Sequence, residues 1–147
     1  MKTVDELTEV FRAQGLRVTP QRQAIFRLLQ GNAAHPTVEA LFEAARTDMP
    51  TISLKTVYQT VHELETMGQV ELIHLGTGSV RVDPNVEHSH HHLVCTVCGR
   101  VRDVLVDVST LQVPGPERQG FTVSDVEVSF RGVCDECAAG TPAPAVS

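Results

Sequence analysis

Every cysteine of this 147-residue chain belongs to one of two short pairs, Cys95-x-x-Cys98 and Cys134-x-x-Cys137. Each spacing lets two sulfurs of one knuckle reach the same ion, and two knuckles together supply the tetrahedral thiolate set of structural zinc. The fold must therefore bring residues near 95 and 134 together across a long intervening segment. Disulfides are the alternative, but the sequence shows no secretory signal and is expected in a reducing compartment, which disfavours them. A redox C-x-x-C is a second alternative. It calls for a pair between a strand and a helix N-terminus, where the thiol pKa falls, and neither pair is predicted there. The expectation is a four-cysteine Zn2+ site.

Length allows one ordinary domain or two small ones, each with a modest core. Only 4% of residues are aromatic, so ring stacking contributes little. The opening MKTVDELTEVFRAQG is amphipathic and charged, and no apolar run reaches the length of a bilayer span. A cytoplasmic protein without a membrane partner is expected. A formal net charge of −6 argues against a phosphate-rich partner, because such binding is driven by counterion release to Lys and Arg. Any nucleic-acid contact must therefore come from a local patch.

The first half reads as helices. Thr3 to Glu6 forms a capping box that opens a helix with Val4, Leu7, Val10 and Phe11 on one face, closed by Gly15. Thr19 and Pro20 are N-cap and first turn of a second helix carrying Ile25, Leu28 and Leu29, ending at Gly31. Thr37 caps a third, with Leu41, Ala44 and Ala45 inward, stopped by Pro50. Ser53 caps a fourth, with Val57, Val61 and Leu64 on its buried stripe and Gly68 at its end. VELIHL and SVRVDP, separated by Gly76-Thr77-Gly78, follow as a hairpin. This order predicts an α+β protein whose N-terminal part, residues 1–83, is a winged helix-turn-helix.

From residue 84 the character changes. HHHLVC and GRVRDVLVDV read as strands around the first knuckle, and FTVSDVEVSFRGVC alternates, with Val126, Val128 and Phe130 on one face. Between them Pro114 and Pro116 speak against a long helix. A module this small, residues 84–137, buries too little apolar area to be secure alone. The tail, residues 138–147, lacks apolar bulk and is expected to be disordered. The segment EHSHHHLVCTVCGR, with four histidines beside the first knuckle, is more than a zinc staple needs.

RVTPQRQAIFRLL, AAHPTVEALF, SLKTVYQTVHEL, HHHLVCTVCG and GVCDEC occur together and in order. From about Leu7 to Cys137 the chain resembles the ferric uptake regulator (Fur) family of bacterial metal-dependent repressors. The resemblance implies a winged-helix DNA-binding domain, a small α/β dimerisation domain with the four-cysteine zinc site, and a regulatory metal site between them. That site would fall on His35 in AHP, Asp83 in RVDP, His90 and His92 in HHH, and Asp103 in GRVRD. Independently, His90 and His92 are two apart on a predicted strand and so project to one face. The donor set suits Mn2+ or Fe2+ in geometry, although Zn2+ or Ni2+ would bind with higher intrinsic affinity. Taken singly, His35 is an ordinary loop residue and the Asp83-Pro84 step an ordinary turn; His88 and His91 are expected to point away, and His62 and His74 to be surface or packing residues. A third metal site known in some relatives would need ligands where this chain has Ser89, Thr110 and Val126, which cannot supply it.

Aspartate at position 103 resembles the peroxide-sensing PerR branch, in which iron reacts with peroxide and a ligand histidine, here His35 or His90, is oxidised. A manganese or iron uptake regulator could carry the same ligands. For operator DNA, Lys55, Thr56, Tyr58 and Gln59 lie off the buried Val57/Val61 stripe and would face a major groove, while Arg17 and Arg22 resemble backbone-contacting residues of the family. The expected protein is a homodimeric repressor, not an enzyme, in which hinge metal and operator strengthen each other's binding. Two other classes compete: a zinc hydrolase using His90, His92 and Asp83 with Glu87 as base, and a zinc-ribbon interaction module that never touches DNA. Structural zinc in finger-like peptides contributes about 10 to 16 kcal/mol near neutral pH, comparable to a small domain's whole stability. Chelating zinc should thus unfold residues 84–137 while the first half keeps its helical circular dichroism and amide protection; unchanged protection in the second half would show that its core suffices.

Overall fold

Caps written into the sequence set the helices. The structure, a computed structural model, describes residues 1–76 and 78–140. Helix α1 (Val4–Ala13) starts at Thr3, whose hydroxyl accepts from the Glu6 N–H while the Glu6 carboxylate accepts from the Thr3 N–H at 2.8 Å. Thr19, Thr37 and Ser53 cap α2 (Pro20–Leu29), α3 (Val38–Asp48) and α4 (Leu54–Thr66) in the same way, each hydroxyl accepting from the amide three residues on. Gly15 and Gly68 follow α1 and α4 with φ of +72° and +66°, the left-handed conformation in which a Cβ would be strained.

The apolar faces of these helices meet in one core containing Leu7, Phe11, Ile25, Leu29, Leu41, Val57, Val61 and Leu64. Phe11 and Phe26 pack with ring centroids 4.9 Å apart at 60°. Phe26 was not singled out in the sequence, yet it is fully buried. Ala44, expected inward, is exposed. The buried stripe of α3 is Val38, Leu41 and Ala45, whose three- and four-residue steps keep to one side of the helix. The wing follows as β1 (Glu71–Ile73) paired antiparallel with β2 (Arg81–Asp83), Leu72 opposite Val82; its tip residue 77 lies outside the described residues.

The second half is a three-stranded sheet. Its central strand β3 (His91–Cys95) pairs antiparallel with β4 (Val101–Val104) and parallel with β5 (Ser129–Gly132). A small apolar cluster of Ile73, Leu75, Val94 and Val101 joins this sheet to the wing. Half of that cluster, Ile73 and Leu75, comes from the first part of the chain. Between β4 and β5 the chain forms only a 3-10 turn, Gly115–Arg118, and no long helix.

Three expectations need correction here. The strand predicted over GRVRDVLVDV ends at Val104, and the alternation before Ser129 is not paired into sheet. Val126 and Val128 are only half-buried and Phe130 is exposed, because β5 meets β3 only from Ser129 onward. The tail begins later than expected, since Ala138 closes a short helix α5 (Asp135–Ala138). The remainder of that expected tail, residues 141–147, lies outside the described residues. Among the described residues, no helix is long and apolar enough to cross a membrane.

Candidate metal centre

Strand β3 ends on Cys95, and a tight turn through Gly99 returns the chain with Cys98 beside it, the Gly99 N–H donating to the Cys95 carbonyl at 2.9 Å. Cys134 is the N-cap of α5 and Cys137 lies one turn on. The second pair therefore does join a strand to a helix start, contrary to the sequence reading, although that helix is a single turn. The two knuckles are tied by Thr96, whose N–H donates to the Gly132 carbonyl at 2.8 Å, and by an Arg100–Glu136 ion pair. One Sγ from each of the four cysteines lies within 4.8 Å of the others, and Cys98 and Cys134 are 3.8 Å apart. Four sulfurs held tetrahedrally about 2.3 Å from one zinc stand about 3.8 Å from each other, so the cluster fits that ion.

Thiol chemistry supports the same fit. The backbone N–H groups of Cys98 and Cys134 lower the Cys95 pKa to about 6. Burial and then the neighbouring sulfurs push Cys137 up to about 12. One thiol ionises readily and another resists until a cation is present to share the charge.

The second cluster lies where the halves meet. His35 sits in the α2–α3 loop in a left-handed conformation, φ +49°. Asp83 ends β2; His90 precedes β3 and His92 lies on it; Asp103 is on β4, opposite His92 in the antiparallel register. His35 Nε2 is 2.6 Å from Asp103 Oδ1, and Asp83 Oδ2 accepts from His90 Nε2 at 2.7 Å and from His92 Nε2 at 3.3 Å. One donor atom from each of the five residues falls within 4.8 Å of all the others. The structure thus brings together all nine residues named from the sequence as metal ligands, in two groups.

Asn85, which the sequence reading missed, arranges the carboxylates. Its backbone N–H donates to Asp83 Oδ1 at 2.7 Å and its side chain to Asp103 Oδ2 at 2.8 Å, leaving one oxygen of each aspartate turned toward the imidazoles. The signal was the D-P-N turn, in which an Asp side chain accepts from the amide two residues on. His90 Nδ1 donates to the His88 carbonyl at 2.8 Å, which fixes the ring and reserves Nε2 for the cluster. His35 Nδ1 and His92 Nδ1 are buried without a hydrogen-bond partner, and His35 Nε2 and Asp103 Oδ1, although 2.6 Å apart, are not aligned as a hydrogen bond and have no other. Buried polar atoms are nearly always paired, so a cation at the centre accounts for those facing it.

Charge balance explains the pKa directions. Burial opposes ionisation of Asp83, but hydrogen bonds from His35, His92 and the Asn85 N–H outweigh it and hold this carboxyl far below the usual range. Burial also opposes protonation of His35, which the Asp83 and Asp103 carboxylates overcome, so its pKa rises. At His90 the same burial is outweighed by the His88 carbonyl and then Asp83.

The DNA-contact candidates divide. Lys55, Tyr58 and Gln59 are exposed on α4, Thr56 is half-buried, and Arg17 is exposed. The Tyr58 hydroxyl donates to Glu39 at 2.7 Å and Gln59 donates to Glu63 at 3.2 Å. Arg22 is committed internally, paired with Glu63 at 2.7 Å and packed over the Phe11 ring; reaching a phosphate would require it to leave both. Of the remaining histidines, His62 and His74 are exposed, while His91 is buried and accepts from the Val128 N–H at 3.3 Å.

Residues 13–131 match the model of the ferric uptake regulator family. The chain is 34% identical over 139 residues to the peroxide-responsive repressor PerR of Staphylococcus aureus strain Mu50, covering 91% of this chain and 90% of that protein. A zinc-bound manganese uptake regulator superposes with a TM-score of 0.71 at 30% identity, over 90% of this chain and 99% of its own. The Helicobacter pylori ferric uptake regulator shares the fold, with a TM-score of 0.73 at 18% identity over 94% of this chain and 97% of its own.

Protons and a metal compete for the hinge rings. Because the His35 and His90 pKa values are raised, their pairing stabilises the metal-free protein fully below the unfolded-state histidine pKa of about 6.5 and is lost as pH rises through the folded values. Asp83, being depressed, contributes stability above its unfolded value and loses it as pH falls. Added Mn2+ should therefore raise the melting temperature more at about pH 8 than at about pH 6, read by calorimetry of zinc-loaded protein; an equal rise at both would show that these rings do not bind the ion.

Proposed function

This chain belongs to the ferric uptake regulator family, and on that premise we propose that it is a transcriptional repressor binding operator DNA as a homodimer when Fe2+ or Mn2+ occupies the hinge cluster, with peroxide as the releasing signal. The observation that carries this reading is the convergence of His35 and Asp83, from residues 1–83, with His90, His92 and Asp103, from residues 84–137, on one space. At the family level such proteins are regulators and not enzymes.

In this reading the four cysteines hold structural Zn2+ and keep the sheet assembled. His35, Asp83, His90, His92 and Asp103 hold the regulatory ion, and Asn85 aims both carboxylates at it. Because His35 is on the loop between α2 and α3 and Asp83 ends the wing, an ion shared with β3 and β4 fixes the winged helix relative to the sheet. Lys55, Thr56, Tyr58 and Gln59 on α4 then face the major groove, with Arg17 at a phosphate. Arg22 serves by holding α2 to α4 through Glu63. The exposed apolar side chains Leu105, Leu111, Phe121 and Val123, with Phe121 79% exposed, form the kind of surface that a second copy covers.

Iron, when bound there, would supply reaction with hydrogen peroxide, and by resemblance to the peroxide-sensing branch His35 or His90 is the ring that would be oxidised. Two aspartates at the carboxylate positions and similarity to a peroxide-responsive repressor support this over a metal-supply role. Similarity to a manganese uptake regulator supports the alternative, with the same ligands and no oxidation. The hydrolase reading is weaker, since Glu87, its base, is not among the residues converging on the cluster. Operator binding by zinc-loaded protein should survive a brief hydrogen peroxide pulse with Mn2+ and be lost with Fe2+, with one added oxygen on a peptide containing His35 or His90 by mass analysis. Retention of operator by the Fe2+ form, with unmodified histidines, would assign the protein to metal supply instead.

A further inference from the structure

Arg81 is buried, at 4% exposure, and none of the ion pairs among the described residues includes it. A lone buried guanidinium is costly unless its charge and its donors are answered. Its Nη1 donates to the His35 carbonyl at 2.9 Å, and its Nε has no partner. On the other side the guanidinium packs on the first cysteine knuckle, where a Cβ added to Gly99 would stand 3.3 Å from Nη2. Arg81 lines one cavity together with Cys98, Gly99, Thr37 and Glu39. Burial lowers its pKa and the Cys98 sulfur draws it back up.

The backbone makes the same connection. Arg81 and Asp83 lie two apart on β2 and are both buried. The Val82 N–H donates to the Pro36 carbonyl at 2.9 Å, and Thr37 bridges to Arg81. The strand that carries Asp83 to the hinge cluster therefore also carries Arg81 to the His35 carbonyl. His35 needs such a tether because its φ of +49° is a conformation non-glycine residues adopt only under constraint.

We propose that Arg81 is a positioning residue coupling the two clusters: it serves as counter-ion to the cysteine cluster and at the same time holds the His35 carbonyl, so that zinc occupancy sets the placement of a hinge ligand. This rests on the metal reading given above. Four thiolates around one zinc dication keep a net negative charge. Loss of zinc lets the four sulfurs move apart and takes away the anionic group that makes a buried guanidinium tolerable. Arg81 then gains by turning to water, and His35 loses its tether. A chain that has lost its structural zinc would thereby also lose its regulatory ion.

The test compares zinc-loaded wild type, Arg81→Met and Arg81→Lys by two readouts: zinc transfer to a colorimetric chelator, and Mn2+ affinity from the free-ion electron paramagnetic resonance signal. Loss of a partner outside the ligand shell typically costs about 10- to 100-fold in metal affinity. Arg81→Met should weaken Mn2+ binding by about that factor and release zinc several-fold faster, on the order of the same effect. Arg81→Lys keeps the charge without the forked donor; it should restore zinc retention but not full Mn2+ affinity, a split that general destabilisation would not produce. Wild-type values of either readout in Arg81→Met, or equal failure of both variants in zinc retention, would overturn the coupling. Wild-type protein with no zinc to lose would overturn the metal reading itself, and the coupling with it.

Discussion

Asp83 and Asp103 turn one oxygen each into a buried space already held by three imidazoles, and the compensation of that negative charge governs the structure around it. Without a cation, the carboxylates favour protons on His35 and His90, whose pKa values they raise. With one, the rings give up those protons and become ligands. Either way the two halves are held at the same place, but protons on separate rings pair locally, whereas one ion bound there would tie all five donors to a common centre. That difference gives an ion leverage over the orientation of the winged helix. The wing and the α2–α3 loop contribute Asp83 and His35, so the site cannot be completed by either half alone.

The cysteine cluster answers a different need. The second half has few buried apolar residues, and half of its small cluster, Ile73 and Leu75, is borrowed from the wing region. Strands β3 and β5 are neighbours in space but far apart in sequence, so their parallel pairing carries a large loop-closure cost. Cys95 ends β3, while Cys134 follows β5; an ion held by both closes that loop where the pairing is otherwise weakest. Acidic overall charge is compatible with DNA binding on this account, because the exposed residues of α4 need only a local patch and the hinge ion adds positive charge nearby.

Much of this was legible in the sequence. Caps at Thr3, Thr19, Thr37 and Ser53 were readable because capping depends on neighbours three residues away. Cysteine and histidine spacings were readable because two ligands on one strand or turn share a geometry. The grouping of His35 with Asp83 and Asp103 was not a matter of local spacing; it came from the family resemblance, since loops and strands far apart in sequence converge there. Arg81 escaped notice for the same reason, and so did the bond from the Asn85 side chain to Asp103, although the local D-P-N turn at Asn85 was there to be read. The alternation at Val126, Val128 and Phe130 misled strand prediction because a repeating pattern promises a buried face without saying what will bury it. The internal pairing of Arg22 was not legible either, a basic residue near a helix start being as able to pair with Glu63 as with a phosphate.

The central claim is that hinge metal and operator DNA select the same arrangement of the winged helix. The most direct measurement is a thermodynamic cycle on zinc-replete protein: operator affinity with and without saturating Mn2+, and Mn2+ affinity with and without operator. The account predicts that each ligand strengthens the other by the same factor, about 5- to 150-fold as is usual for such coupling. Operator affinity independent of Mn2+ would contradict it.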